Sequence, residues 1–340
     1  MKYIEYLLKR LIYSVVVLFG LSVIIFIISR VIPGDPARMA LGPHATREQV
    51  EALRQSMGLH LSLIEQYIMY ITNLFRGDFG MSLVSRRNVL VDLKLYFPAT
   101  LELIIYTIIW VVIIGVPMGV VSAAKKDSKV DNFFKTLSFS AVVAPAFIIG
   151  LAFQLIFGYA LNIMPITGRL SSALSASPRI TGMLSFDALI QGDFQVFFNS
   201  LRHLLLPSLA LSMPGIGQVS RITRASMLEV GTKDYISVMH SYGVPDGIIN
   251  FIYMLKPAFI PSLNIIGMTF ASLLGNAFLI EQVFSWPGVA RYGINALLKV
   301  DVNALMGVVL LIGAVFLATN FIIDLLMGLL DPRVRLSEED

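Results

Sequence analysis

The chain has 340 residues, 56% of them hydrophobic and 14% charged, with a formal net charge of +4. An average soluble domain is ~25% charged and ~45–50% apolar, so a mean hydropathy of +0.77 excludes a water-soluble shell and requires lipid as solvent. There is no cysteine, which excludes disulfides and thiolate metal sites. A membrane span needs ~20 mostly apolar residues to cover ~30 Å. Six stretches qualify: 10–31, 98–124, 134–161, 203–222, 258–283 and 305–330. The basic start, Met1 to Arg10, leads into the apolar run Leu11–Ser29. That run is longer than a signal-peptide core and lacks a clear small-residue cleavage site, so it reads as a retained first span.

The loop after it, 32–97, is predicted to hold two short amphipathic helices. Thr46 and Gln49 form a capping box ahead of Val50, Leu53 and Met57, with Gly58 as the stop. Ser62 and Glu65 form a second box ahead of Ile64, Tyr67, Ile68, Ile71 and Phe75, and Gly77 ends that helix. Both are expected on the outer face of the bundle, either capping that surface or docking a partner. Pro117, Pro145 and Pro214 are expected to kink their spans around a wet cavity or simply to be tolerated in packing. The loop 162–202 is rich in Ser, Gly and Pro and reads as irregular; Trp286-Pro287-Gly288 reads as a turn with an interfacial anchor, and a short helix dipping back toward the bundle is the alternative. No internal repeat is visible.

Basic residues set the orientation. Lys2, Lys9 and Arg10 precede the first span; Lys125, Lys126, Lys129 and Lys135 crowd the short loop after the second; Arg221, Arg224, Lys233 and Lys256 lie between the fourth and fifth; Arg333 and Arg335 follow the last. An even number of spans puts all of these on one side, the cytoplasm, with both termini. On that side the segment Arg224–Pro261 is the most informative. Asp234 can cap a short helix starting at Tyr235, Gly243 supplies a left-handed stop, and Pro245 suits the first turn of a second helix. The helix would expose Tyr235, Ile236, Val238, Met239 and Tyr242. Such a surface suits either a groove on another protein or the bilayer interface.

Other chemistry is thinly represented. There is no GxxxxGK[ST] loop, no HExxH and no GxSxG, and His44, His60, His203 and His240 are scattered. The sequence therefore offers no catalytic constellation, no metal site and no feature for nucleic acid. Polar residues inside spans are candidates for function: Gln154, Asn264 and Asn276 as path-lining groups or interhelical hydrogen bonds, and Glu102, Glu281 and Asp324 as anchors or partners of a nearby arginine.

The run Arg224–Val230, then Asp234-Tyr235, Gly243 and Pro261, resembles binding-protein-dependent ABC transporter permeases, and within them the first permease subunit of the oligopeptide/dipeptide type. In the order that family shows them come Ile32-Pro33-Gly34-Asp35-Pro36, Arg76-Gly77-Asp78-Phe79-Gly80, Pro98–Leu103, His203–Pro207, Glu281–Gly288 and Leu330-Asp331-Pro332-Arg333-Val334-Arg335. The resemblance covers nearly the whole chain. It implies an all-α polytopic fold of about six transmembrane helices like that of type I importers. Residues 1–97 would hold the first span and its loop, 98–330 the permease core with a coupling loop at 224–257, and 331–340 a cytoplasmic tail.

It further implies that Asp234, Tyr235, Val238, Met239, His240, Tyr242, Gly243, Pro245 and Asp246 couple the chain to an ATPase. The expected partners are a second homologous permease subunit, two ATP-binding subunits, an extracellular or periplasmic substrate-binding protein and membrane lipid. ATP and Mg would be bound by the partner subunits and no cofactor by this chain. Ser237, Val238 and Met239 replace the glutamate and two alanines that open the family-wide motif, and Met239-His240-Ser241-Tyr242 replace its small and basic residues before the glycine. Short peptides are the implied substrate, with nickel complexes or oligosaccharides as alternatives on the same machinery. An ion-coupled secondary transporter is the other class, and it would want ionisable residues near the midplane.

Overall fold

A computed structural model of the chain describes residues 2–31, 36–41, 45–56 and 58–330. Ile32 to Asp35, His44, Met57 and the tail from Asp331, with Arg333 and Arg335, lie outside the described residues. The described chain is helical, apart from one isolated bridge between Met81 and Asn88.

The first span is α1 (Lys2–Val31), followed by α2 (Pro36–Leu41), α3 (Arg47–Ser56) and α4 (Leu63–Phe75). Both capping boxes form: Thr46 with Gln49, and Ser62 with Glu65. The position of α4 differs from expectation. Tyr67 reaches Ser22 in the middle of α1 with a hydroxyl pair at 2.8 Å and packs edge-on against Phe19. The helix therefore lies along the flank of the first span instead of capping the bundle. Its uncovered residues Leu63, Ile64, Ile68 and Phe75 are apolar, which suits lipid better than water.

The second span is α5 (Val89–Trp110), a π-helical stretch Val111–Gly115 and α6 (Val116–Ala124). It starts at Val89 and not at 98, because Asn88 caps it by accepting from the Leu90 N–H at 2.9 Å. Pro98 then falls inside the helix, where its missing N–H orphans the Lys94 carbonyl. The guanidinium of Arg179 donates to that carbonyl in its place.

Next come α7 (Lys129–Val143) and α8 (Ala146–Phe153), which continues as a π-helical stretch Gln154–Ala160. They form a pair bent by 102°, with Pro145 at the N-cap of α8; this is the break expected at that proline. The loop beyond is irregular only as far as α9 (Leu184–Ile190) and α10 (Phe194–Gly231). The chain ends with α11 (Asp234–Ser241), α12 (Asp246–Ile248), a π-helical stretch Ile249–Met254, α13 (Leu255–Val283), α14 (Val289–Leu298) and α15 (Val302–Leu330). The helix after Gly288 realises the alternative in which the chain dips back toward the bundle.

Among the described residues, four helices are long and apolar enough to cross a membrane: Lys9–Arg30, Val89–Ala124, Asp246–Val283 and Val302–Leu325. The bent pair makes a fifth candidate. The stretch 203–222 lies in α10, which has the length, at 38 residues, but less hydropathy. Its position explains why. It packs against α5, α6, α7, α8, α9 and α13, and its buried residues include Ser208, Ser212, Gly215, Gly217 and Ser220. A helix sheathed by other helices needs small contacts for close approach, not side chains soluble in lipid. The main core joins this helix to α5 and α13 through Leu103, Leu206, Leu274, Ile280, Phe284 and Trp286.

Candidate functional site: an elbow at one end of the bundle

The segment after α10 forms a compact elbow. Thr232 closes α10 and Lys233, in extended conformation, opens α11. Asp234 is thus the first helical residue and not the cap expected; its side chain caps nothing, although its charge suits a helix N-terminus. The stop is fully formed. Gly243 has φ +73°, its N–H donates to the His240 carbonyl at 3.0 Å, and the Val244 N–H donates to the Met239 carbonyl at 3.1 Å. These are the two bonds of a Schellman motif. Pro245 sits at the N-cap of α12, and Asp246 is its first residue.

The elbow is seated by Ile236, which is buried with Met227, Ile249 and Met254, while Met239 and Val244 pack partly against them. The expectation that Ile236 is exposed is overturned: it is the residue that holds α11 to the bundle. Tyr235, Val238 and Tyr242, at i, i+3 and i+7, share one helical face and remain uncovered, Tyr242 at 84% exposure. His240 Nδ1 lies 3.5 Å from Asp246 Oδ1, both well exposed.

A buried carboxylate ties the last third of α10, the helix that leads into the elbow, to its neighbours. Asp131 accepts from Arg224 Nε and Nη2, each at 2.8 Å, from Ser122 Oγ at 2.5 Å and from the Asp127 N–H at 2.9 Å. Lys135 adds an ion pair at 3.1 Å. One fully buried side chain thereby joins α6, α7 and α10, ten residues before α11 begins. Sequence reasoning missed Asp131; the available signal was an acid among Lys125, Lys126, Lys129 and Lys135.

The three candidate path residues occupy different surroundings. Gln154 donates to the carbonyls of Ile166 at 2.7 Å and Val283 at 3.0 Å, so it clasps α8, the following loop and the end of α13. Asn264 and Asn276 stay exposed on α13, in one stripe with Met268, Ser272 and Leu279. The bond from α10 to α13 between the Thr223 and Ser262 hydroxyls, at 2.8 Å, lies on the opposite, buried face of α13.

The other end of the bundle carries further buried acids, Glu281 and Glu102 among them. Glu281 accepts from the Thr100 hydroxyl at 2.5 Å and from the Arg291 N–H at 2.7 Å, so its carboxylate caps α14. Trp286 donates its indole N–H to the Ala99 carbonyl at 2.8 Å. A Cβ on Gly288 would overlap the Glu281 carboxylate. Glu102 accepts from the Ser185 N–H and hydroxyl, both at 2.6 Å, and pairs with Arg169, which lies over the Trp286 ring. Asp324, partly exposed near the C-terminal end of α15 and so back at the elbow's end, pairs with Arg10 of α1 at 2.5 Å. All three acids are therefore anchors, with arginine partners for Glu102 and Asp324. In the loop, burial pushes the Asp187 carboxyl up, but hydrogen bonds from Thr181, Gly182 and Ile180 outweigh it and leave the group below its ordinary value.

The same chain matches known proteins over nearly its whole length. Residues 115–336 match the binding-protein-dependent transport system inner membrane component family, and residues 3–104 match the N-terminal segment of such membrane components. The chain is 38% identical, over 94% of both chains, to the probable D,D-dipeptide transport system permease protein DdpB of Escherichia coli (strain K12). It is 35% identical to the dipeptide transport system permease protein DppB of Alkalihalophilus pseudofirmus, over 98% of this chain and 99% of that one. The glutathione transport system permease protein GsiC of Escherichia coli (strain K12) is 31% identical over the same shares. With its sheathed central helix, its several apolar spans and this agreement along both chains, the protein belongs to the inner membrane components of binding-protein-dependent transport systems, as an ABC importer permease of the dipeptide/oligopeptide type.

Proposed function

We propose that this chain forms half of a membrane channel that imports short peptides, and that its elbow, Asp234 to Asp246, seats in a separate ATP-hydrolysing subunit. The observation that carries this is the elbow itself. It is stopped by a complete Schellman motif, seated by Ile236, and still leaves Tyr235, Val238 and Tyr242 uncovered. A rigid mount with an open apolar edge suits the groove of a partner. Peptides as cargo rest on the relatives, whose names specify D,D-dipeptides, dipeptides and glutathione.

In this reading the partners are a second homologous permease, two ATP-binding subunits carrying ATP and Mg, and an external binding protein. Both termini lie in the cytoplasm with the elbow, as the lysines and arginines at that end favour. ATP-driven closure of the motor subunits shifts a two-state equilibrium of the bundle through contacts that differ between the states. The path runs along the uncovered face of α13, where Asn264, Ser272 and Asn276 would be costly against lipid.

The test is reconstitution in liposomes with the cognate subunits and binding protein. Uptake of di- and tripeptides should require ATP and every partner, and a single cysteine at Tyr242 should cross-link to the ATP-binding subunit. Peptide uptake by this chain alone, without ATP, would overturn the proposal.

A further inference from the structure

We infer that a groove between α1, α4, α5 and α15 holds an acyl chain of an anionic phospholipid whose phosphate rests on Lys94 and Arg179. The groove has a volume of about 520 Å³ and is lined by Phe19, Leu74, Leu93, Phe97 and Leu311 among other apolar side chains. The one charged residue in its wall is Lys94. The Ser22 hydroxyl, also in the wall, is taken up by Tyr67 and the Phe19 carbonyl. Water gains little along such a wall, where Lys94 is the polar group still open to it. In a bilayer the fluid at hand is a lipid chain.

Charge decides which lipid. Arg179 is held at Lys94 because Pro98 frees the Lys94 carbonyl, which the guanidinium takes. Two exposed cations thus stand at the same turn of α5: the Lys94 side chain in the wall of the groove and the Arg179 guanidinium at the Lys94 backbone. Among the described residues neither has a carboxylate within ion-pair distance. A lysine that lays its stem on apolar surface and lifts its ammonium toward the interface is suited to a phosphate above an acyl chain. The apolar groove selects a lipid over free phosphate, and two cations at one turn of α5 select an anionic headgroup over a zwitterionic one.

The probe is native mass spectrometry of the assembled transporter, released from vesicles of phosphatidylcholine containing one-tenth phosphatidylglycerol. The wild type should retain phosphatidylglycerol well above its share of the vesicle. Lys94→Gln should weaken that retention about fivefold, as one cation near a headgroup is worth about 1 kcal/mol. Leu311→Trp, which fills the groove, should abolish retention of either lipid there. Unchanged retention in both variants would overturn the inference. So would photo-cross-linking to the second permease from a benzophenone side chain placed at Val15 or, separately, at Leu311, since protein would then cover the groove.

Discussion

Arg224 and Asp131 meet through two parallel hydrogen bonds of 2.8 Å, one from Nε and one from Nη2. The fork matches the carboxylate, and a lysine at 224 could supply only a point charge. Breaking a buried pair by removing one partner costs about 3–5 kcal/mol; Arg224 keeps some access to solvent, so the low end applies. Asp131→Ala should therefore lower the stability of the purified transporter by about 3 kcal/mol, measured by thermal unfolding in detergent. Arg224→Lys should fall between it and the wild type. If the pair also ties the elbow to α7, both variants should lose peptide uptake faster than ATP hydrolysis. Unchanged coupling at reduced stability would confine the pair to a packing role.

Gly243 tests the elbow from another side. No atom lies within 4 Å of where its Cβ would be, so only the φ of +73° resists substitution. A left-handed residue with a Cβ costs about 1–2 kcal/mol, asparagine less, and a β-branched residue is an outright outlier. Uptake in the reconstituted system should rank Gly, Asn, Ala, Val in falling order while membrane insertion stays constant. Normal uptake by Gly243→Val would remove the elbow from the coupling path.

Much of this was legible in the sequence for a physical reason: caps, stops and prolines act locally. The boxes at Thr46 and Ser62, the stop at Gly243 and the bend at Pro145 need only a few residues each. What depended on distant partners was not legible. The start of α5 was misplaced because Pro98 looks like a helix opener until Arg179 is known to satisfy Lys94. Ile236 reads as one apolar residue among several on α11, and only Met227, Ile249 and Met254 show which side is covered. The modest hydropathy of α10 is a consequence of six neighbouring helices. Asp131 had no motif around it, and its importance comes from Arg224, far along the chain.

The corner between α13 and α14 predicts a steric effect with an optical readout. Gly288 has no room for a methyl group because the Glu281 carboxylate fills the space. Gly288→Ala must displace a carboxylate held by Thr100 and Arg291, and overpacking of this kind costs about 1–3 kcal/mol. Trp286 is fully buried beside it, so its fluorescence should shift to the red in the variant. Glu281→Gln keeps the shape and should leave the emission nearly unchanged. A red shift of equal size in both variants would show that charge, not space, holds the corner.

Asp187 gives the loop at the same end a pH dependence of known sign. Its folded value is depressed by bonds from Thr181, Gly182 and Ile180. A depressed carboxyl contributes stability above its unfolded value, near pH 4, and loses it as pH falls through the lower folded value. The protection of amides 180–182, taken relative to their intrinsic exchange rate at each pH, should hold down to about pH 4 and fall below it. Asp187→Asn should exchange fast at every pH.

Gln154 and the two asparagines of α13 should respond in opposite ways. Gln154 spends its amide on the carbonyls of Ile166 and Val283. Gln154→Leu leaves two acceptors short of a donor, at about 1–3 kcal/mol for each such group, and should lower thermal stability. Asn264 and Asn276 are exposed and have no hydrogen-bond partner among the described residues. Replacing either by leucine should shift stability by no more than about 0.5 kcal/mol. If their face borders the path, the same leucines should slow peptide uptake without changing binding-protein affinity or stability. If it borders the second permease, the leucines should instead alter assembly, read as the yield of intact complex. A transporter with normal uptake and normal assembly would place those asparagines against lipid, and there the leucines should raise stability, because an amide without a partner is costly in an apolar medium.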